Sequence, residues 1–229
     1  MDSFDDFFPD GIKSLQTGFV VSPRWRAEIT KWLDCVYGVD PKYCERAKNR
    51  AKQDTFKQAE VLAEIRSMYF LHERGCAISA LEPDRVDVTF TDTNGAEWNA
   101  EVKCPSYGQE IFERDIPRAD KLARKQRPKY INEGGSFDFK RQYVDPIEKS
   151  VSKFEEGSNN LLIISDNLFV SLVEDPSLEE NVKTALRGSD PQGKISAVLL
   201  LHVQLGNAFE YVARMAEITK PLALREAEK

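Results

Sequence analysis

The chain has 229 residues, room for one large domain or for one domain with an appended piece. Hydrophobic residues supply 41% of it, enough for a core, and the formal net charge is -6. That acidic balance argues against non-specific nucleic-acid binding as the sole task, while leaving room for a local basic groove.

Four cysteines stand at 35, 44, 76 and 104, without a CxxC pair, and the histidines are His72 and His202. That spacing does not suit structural zinc. Scattered cysteines in a chain of this size point to a reducing, cytoplasmic setting. The start, Asp2-Ser3-Phe4-Asp5-Asp6-Phe7-Phe8, has neither the basic opening nor the apolar core of a signal peptide. The longest apolar run, 197–201, is far too short to span a bilayer, so no membrane partner is expected.

Residues 1–22 read as an irregular arm. A helix is predicted over 24–36, with Trp25, Ile29, Trp32, Leu33 and Val36 on one stripe. Trp25, Trp32 and Tyr37 are candidates for contact with a partner protein, although burial against the main domain is the plainer reading. Pro41 after Asp40 can open a second short helix. A longer helix is predicted over 55–73, with Gly75 as its stop. Strands follow at 77–81, 85–90 and 97–103.

Periodicity is then lost over 104–143, a stretch with Pro105, Pro117, Pro128 and Gly134-Gly135. It reads as an insertion, partly helical near 118–127. Asp145-Pro146 begins a helix to about 156. Leu161 to Ile164 is an apolar run suited to a strand covered on both faces. A helix over 177–187 and a buried strand over 195–203 come next. The tail, 207–228, is expected to be helical at its start. The domain reading is an N-terminal arm and helical extension (1–53), a core (54–210) containing the insertion, and a C-terminal tail (211–229). The fold class is α/β, a central mixed sheet flanked by helices.

The strands at 85–90 and 97–103 carry the chemistry. Val86, Val88 and Phe90 alternate with Asp87 and Thr89 in the first; Trp98, Ala100 and Val102 alternate with Asn99, Glu101 and Lys103 in the second. Strand side chains alternate faces, and Asn94-Gly95 suits a tight reversal. Asp87, Glu101 and Lys103 therefore share one face. Two acids and a lysine on one surface suit a magnesium-dependent phosphodiester hydrolase, since carboxylates hold the metal and the ammonium supports an attacking water. The plainer reading is a solvated face, with Asp87 paired to Arg85 and with Glu101 and Lys103 in cross-strand pairs. Cys104 follows directly and reads as a small packed residue. Asp84, next to Pro83, is a second candidate aspartate, placed in the loop.

Upstream, Val61, Glu64, Met68 and Leu71 form one helical stripe. An acid there is costly unless paired or bound to a cation. Either Glu64 serves the site, or it turns outward to Arg66 or Arg74.

Glu64 on a helix stopped by Gly75, Asp87 on a strand, and Glu101-Val102-Lys103 on the next resemble the PD-(D/E)xK nuclease superfamily, the restriction-endonuclease-like fold. The helix bearing Lys149 and Lys153, followed by the strand after Asn160, is similar to the elements that complete that core. The resemblance covers roughly 57–103 and 145–203. It implies a divalent-metal-dependent nuclease, endo- or exonucleolytic, acting most naturally on DNA in repair, recombination or defence. By that resemblance Asp87, Glu101 and the Val102 carbonyl hold Mg2+ or Mn2+, and Glu64 takes a second metal or its waters. Lys103 orients or deprotonates the attacking water and stabilises the phosphorane charge, and Lys153 touches the scissile phosphate, with Lys149 the second choice on that helix.

The insertion holds Arg114, Arg118, Lys121, Arg124, Lys125, Arg127 and Lys129 within sixteen residues, with Tyr107, Tyr130, Phe137, Phe139 and Tyr143 interleaved. Such residues neutralise phosphates and stack bases, so with Lys149 they form the expected nucleic-acid surface. A solvated charged lobe or a dimer contact is the plainer reading. The competing functional reading is a catalytically inactive module of this fold, binding protein or nucleic acid within a larger complex. A third is a small immunity or adaptor protein that works through residues 24–50.

Overall fold

The computed structural model describes residues 4–9, 23–79, 86–104, 140–166, 178–205 and 209–226. The chain starts with a single helical turn, α1 (Phe4–Phe7). Phe4, Phe7 and Phe8 are buried in the core, so the expected irregular arm is anchored by its aromatics. Helix α2 (Pro23–Val39) runs a little beyond the predicted 24–36 and buries Ile29, Trp32, Leu33 and Val36. The side chain of Trp25 lies outside the described set, and Tyr37 is exposed. Helix α3 (Pro41–Ala51) opens as expected, with Pro41 in its first turn and the Asp40 carboxylate accepting from the Lys42 and Tyr43 N–H groups.

Helix α4 (Thr55–Glu73) matches its predicted span. Asp54 caps its start, and Gly75 ends it at φ +84°, a left-handed conformation that favours glycine. From Val61 to Met68 every residue is buried. The reason is that α2 and α3 pack on one side of the helix and the sheet on the other.

Strand β1 (Ala77–Ile78) is short, β2 spans Val88–Thr91, and β3 spans Glu97–Lys103 as predicted. The stretch expected to be partly helical, 118–127, lies outside the described residues. A π-helical turn, Lys140–Val144, leads into α5 (Asp145–Val151), which stops short of the expected end near 156. Strand β4 (Asn160–Asp166), helix α6 (Leu178–Ser189) and strand β5 (Ala197–Leu205) follow.

The last element is a correction. The tail expected to start as a helix is strand β6 (Phe209–Glu217), and it runs across the boundary expected at 210. Ala, Met, Arg and Glu favour helix locally, but nine residues of β6 pair antiparallel with β5. Tertiary pairing overrides local propensity here.

Among the described residues, six strands lie in sequence order, β1 to β6. The β3–β4 and β4–β5 pairs are parallel and the others antiparallel. This is a mixed α/β sheet flanked by helices. Two cores lie on its two faces. Ala100, Val102, Leu161, Ile163 and Leu199 meet helices α1 to α4, whereas Leu162, Ile164, Val198 and Leu200 meet α5 and α6. No helix among the described residues is long and apolar enough to cross a membrane.

Candidate functional site

The β2–β3 hairpin builds the site. Its turn holds Gly95 at φ +85°, as Asn94-Gly95 requires. Phe90 and Trp98 pair across the strands, with ring centroids 6.4 Å apart, and fix the register in the core. Val88 faces Ala100, so one step further the register sets Asp87 beside Glu101.

Strand β2 does not reach back to 85 as expected. Asp87 sits in a bend, and its Oδ2 accepts the Val102 N–H at 2.8 Å. A side chain thus satisfies a donor that a partner strand's carbonyl would otherwise take. Beyond the bend the alternation fails: Val88 and Phe90 join the first core, but Val86 joins the second. Asp84 and Arg85 lie outside the described residues.

Glu101 is not on a solvated face. It lies on an interior strand, with Leu162 as its register partner, and its side chain is 0% exposed. Its carboxylate meets two ammoniums. Lys103 Nζ lies 2.6 Å from Oε2; Lys153 Nζ lies 3.0 Å from Oε1 and 2.9 Å from Oε2. The same ammoniums face Asp87, at 4.0 Å for Lys103 and 3.8 Å for Lys153. Lys153 arrives from the turn after α5, where its backbone N–H donates to the Ser150 carbonyl. Asp87, Glu101, Lys103 and Lys153 are therefore one cluster, formed by a hairpin end and a turn fifty residues away in sequence.

Glu64 lies nearby on α4 with its carboxylate engaged, though not by Arg66 or Arg74. Arg50 Nη1 and Nη2 donate to its two oxygens at 2.9 and 2.8 Å, and the Tyr43 hydroxyl donates at 2.6 Å. Arg66 instead reaches Ser165 on β4, with Nε 3.1 Å from the hydroxyl. The short 52–54 connection folds α3 back along α4, which brings Tyr43 and Arg50 to Glu64. Sequence reasoning missed both residues. The available signal was the rule that a buried carboxylate needs a cation, together with a basic last turn on the preceding helix.

Electrostatics join the groups. Burial, then the charge of Asp87, pushes the Glu101 carboxyl above its usual range, against the opposing pull of Lys103 and Lys153. Burial also raises Glu64, and Asp87 adds to the rise while Arg50 and Tyr43 oppose it. Burial works against charge on Lys153, yet the hydrogen bond to Glu101 and the charges of Asp87 and Glu101 outweigh it and raise its pKa. Asp87 thus acts on the carboxylates of both α4 and β3.

Carboxylate oxygens are the donor type that a hard divalent cation takes. Asp87 and Glu101 present oxygens toward a common point, where ammonium groups now balance them. Glu64 is held by its guanidinium and phenol. Among the described residues, no group of three or more His, Cys, Asp and Glu side chains converges as a ligand set. Lys149 is exposed on α5. The basic residues Arg114, Arg118, Lys121, Arg124, Lys125, Arg127 and Lys129 lie outside the described residues. Cys104 is half-buried and packs against the first core.

No family model matches the sequence, and no curated protein matches it. Among solved structures, the chain is similar to SfsA of Pyrococcus furiosus in complex with Ca2+. The identity is 20%, the match spans 72% of this chain and 64% of that one, and the TM-score is 0.27. A likeness this slight carries neither fold nor chemistry across.

Proposed function

We propose that the chain is a divalent-metal-dependent nuclease, hydrolysing phosphodiester bonds with DNA as the favoured substrate, on a restriction-endonuclease-like core. The observation that carries this reading is that Asp87, in the bend before β2, and Glu101, on β3, face the same two ammoniums at the open end of one hairpin. Asp87 and Glu101 are the residues to hold Mg2+ or Mn2+, with the Val102 carbonyl completing the set and Glu64 at its margin. Such an ion supplies Lewis-acid polarisation of the phosphate and a more acidic bound water.

The chain's own residues do the rest. Lys103, fixed by the β3 ladder, orients the attacking water and offsets charge developing on the phosphoryl oxygens. Lys153 reaches the scissile phosphate from outside the sheet. Arg50 and Tyr43 hold Glu64 in place beside Asp87. Lys149 and the basic stretch from Arg114 to Lys129 track the backbone of the nucleic acid, and a homodimer would supply a second site for a second strand.

One observation favours a different reading, a catalytically silent binding module. Each of the three carboxylates already has a cationic partner, as a purely structural charge cluster would. The two readings separate on incubating the protein with plasmid, single-stranded DNA and RNA, with and without Mn2+. The nuclease reading expects Mn2+-dependent cleavage that excess EDTA and Lys103→Ala both abolish. Full activity in EDTA, or in Lys103→Ala, removes it.

A further inference from the structure

The cluster at the hairpin end is charge-balanced without any metal: Glu64, Asp87 and Glu101 stand against Arg50, Lys103 and Lys153, and at the edge Glu60, which also meets Arg50, is matched by Lys57. A divalent cation added between Asp87 and Glu101 would leave excess positive charge in a partly buried space, so an ammonium must move away. The two candidates differ. Lys103 is rooted in β3 and its side chain is 20% exposed; Lys153 hangs from a turn and is 43% exposed. Lys153 also straddles both oxygens of Glu101, the position from which that carboxylate would grip an ion. We propose that Lys153 is a displaceable counter-ion, closing the Asp87–Glu101 site when metal is absent and swinging out to bind a substrate phosphate when metal enters. The proposal rests on the nuclease reading.

Its consequence is a thermodynamic coupling. The released ammonium is available to a phosphate, and a phosphate that holds the ammonium keeps it off the carboxylates. Metal and polyanion then tighten each other's binding by the same factor. Loss of charge at residue 153 alone strengthens metal binding by simple Coulomb relief, so affinity by itself does not decide the matter; the coupling does.

The test is calorimetric titration of Mn2+ into the full chain, for wild type, Lys153→Gln and the surface control Lys183→Gln. Each is titrated alone and with a cleavage-resistant phosphorothioate DNA duplex, after thermal melts confirm folding. Without DNA, Lys153→Gln should bind Mn2+ about 5-fold or more tightly than wild type, and DNA should tighten Mn2+ binding by a similar factor in wild type and Lys183→Gln. In Lys153→Gln, DNA should tighten Mn2+ binding by a clearly smaller factor, because only the direct contact between ion and phosphate remains. An equal DNA effect in wild type and Lys153→Gln overturns the counter-ion role and leaves the nuclease reading standing. Absence of Mn2+ uptake by wild type, with or without DNA, overturns both.

Discussion

Asp92 closes the β2–β3 hairpin at its turn, and Asp87 stands at its open end, five residues away. Asp92 Oδ1 accepts from the Asn94 and Ala96 N–H groups, and Oδ2 from the Trp98 indole and the Ala223 N–H. Burial alone would raise its pKa, but these four donors win and lower it. They are neutral dipoles built into the fold, and they tie the C-terminal segment to the hairpin. Asp87 takes one backbone N–H and otherwise faces ammoniums. A carboxylate saturated by fixed dipoles is a joint. One balanced by mobile charge keeps acceptor capacity that a metal can use.

The comparison is best broken by substitution at each end. Lys103→Ala should lower cleavage by about 10²- to 10⁴-fold and cost only modest stability, because Lys153 still pairs with the buried Glu101. Asp87→Asn keeps an amide oxygen for the Val102 N–H, so it should remain folded yet lose cleavage to a similar degree. A large drop in its melting temperature would make Asp87 a joint like Asp92. At the turn the pattern should reverse. Asp92→Ala strands several donors and should cost about 2–3 kcal/mol in urea unfolding, with cleavage per folded molecule preserved.

A smaller effect is expected beside the site. Arg50→Ala leaves Glu64 buried without its guanidinium. Breaking a buried pair costs about 3–5 kcal/mol, but Arg50 is 35% exposed and water screens it, so about 1–2 kcal/mol is expected, with partial recovery in Arg50→Ala/Glu64→Gln. No recovery would mean that Arg50 acts through packing. The mildest probe is acid. The folded pKa of Asp92 is depressed, so its stabilisation is fully present above the unfolded value of about 4 and is lost as pH falls through the lower folded value. Amide exchange at Ala223 should quicken in that window, before residues of β4 respond.

How legible all this was depended on the range of the interactions. Helix α4 and strand β3 have the predicted bounds because caps, Gly75 and the turn at Asn94-Gly95 are local signals. Asp87, Glu101 and Lys103 were readable from alternation, whereas Lys153 was expected on the helix by resemblance and stands in the turn after α5. Strand β6 was not, since its pairing with β5 overrides residues that favour helix. Nor was the bend at Asp87, where a side chain replaces a ladder bond and sends Val86 to the opposite core. Tyr43 and Arg50 were missed because their partner lies across a helix–helix contact, and the basic last turn of α3 was the one local signal.

The most direct measurement is Mn2+ binding, followed by electron paramagnetic resonance, in wild type and in Glu101→Gln. Wild type should take up Mn2+, and the variant, which keeps the side-chain shape but loses the charge, should lose that uptake while melting normally. Equal Mn2+ uptake by the two proteins would place the ion elsewhere and contradict the account.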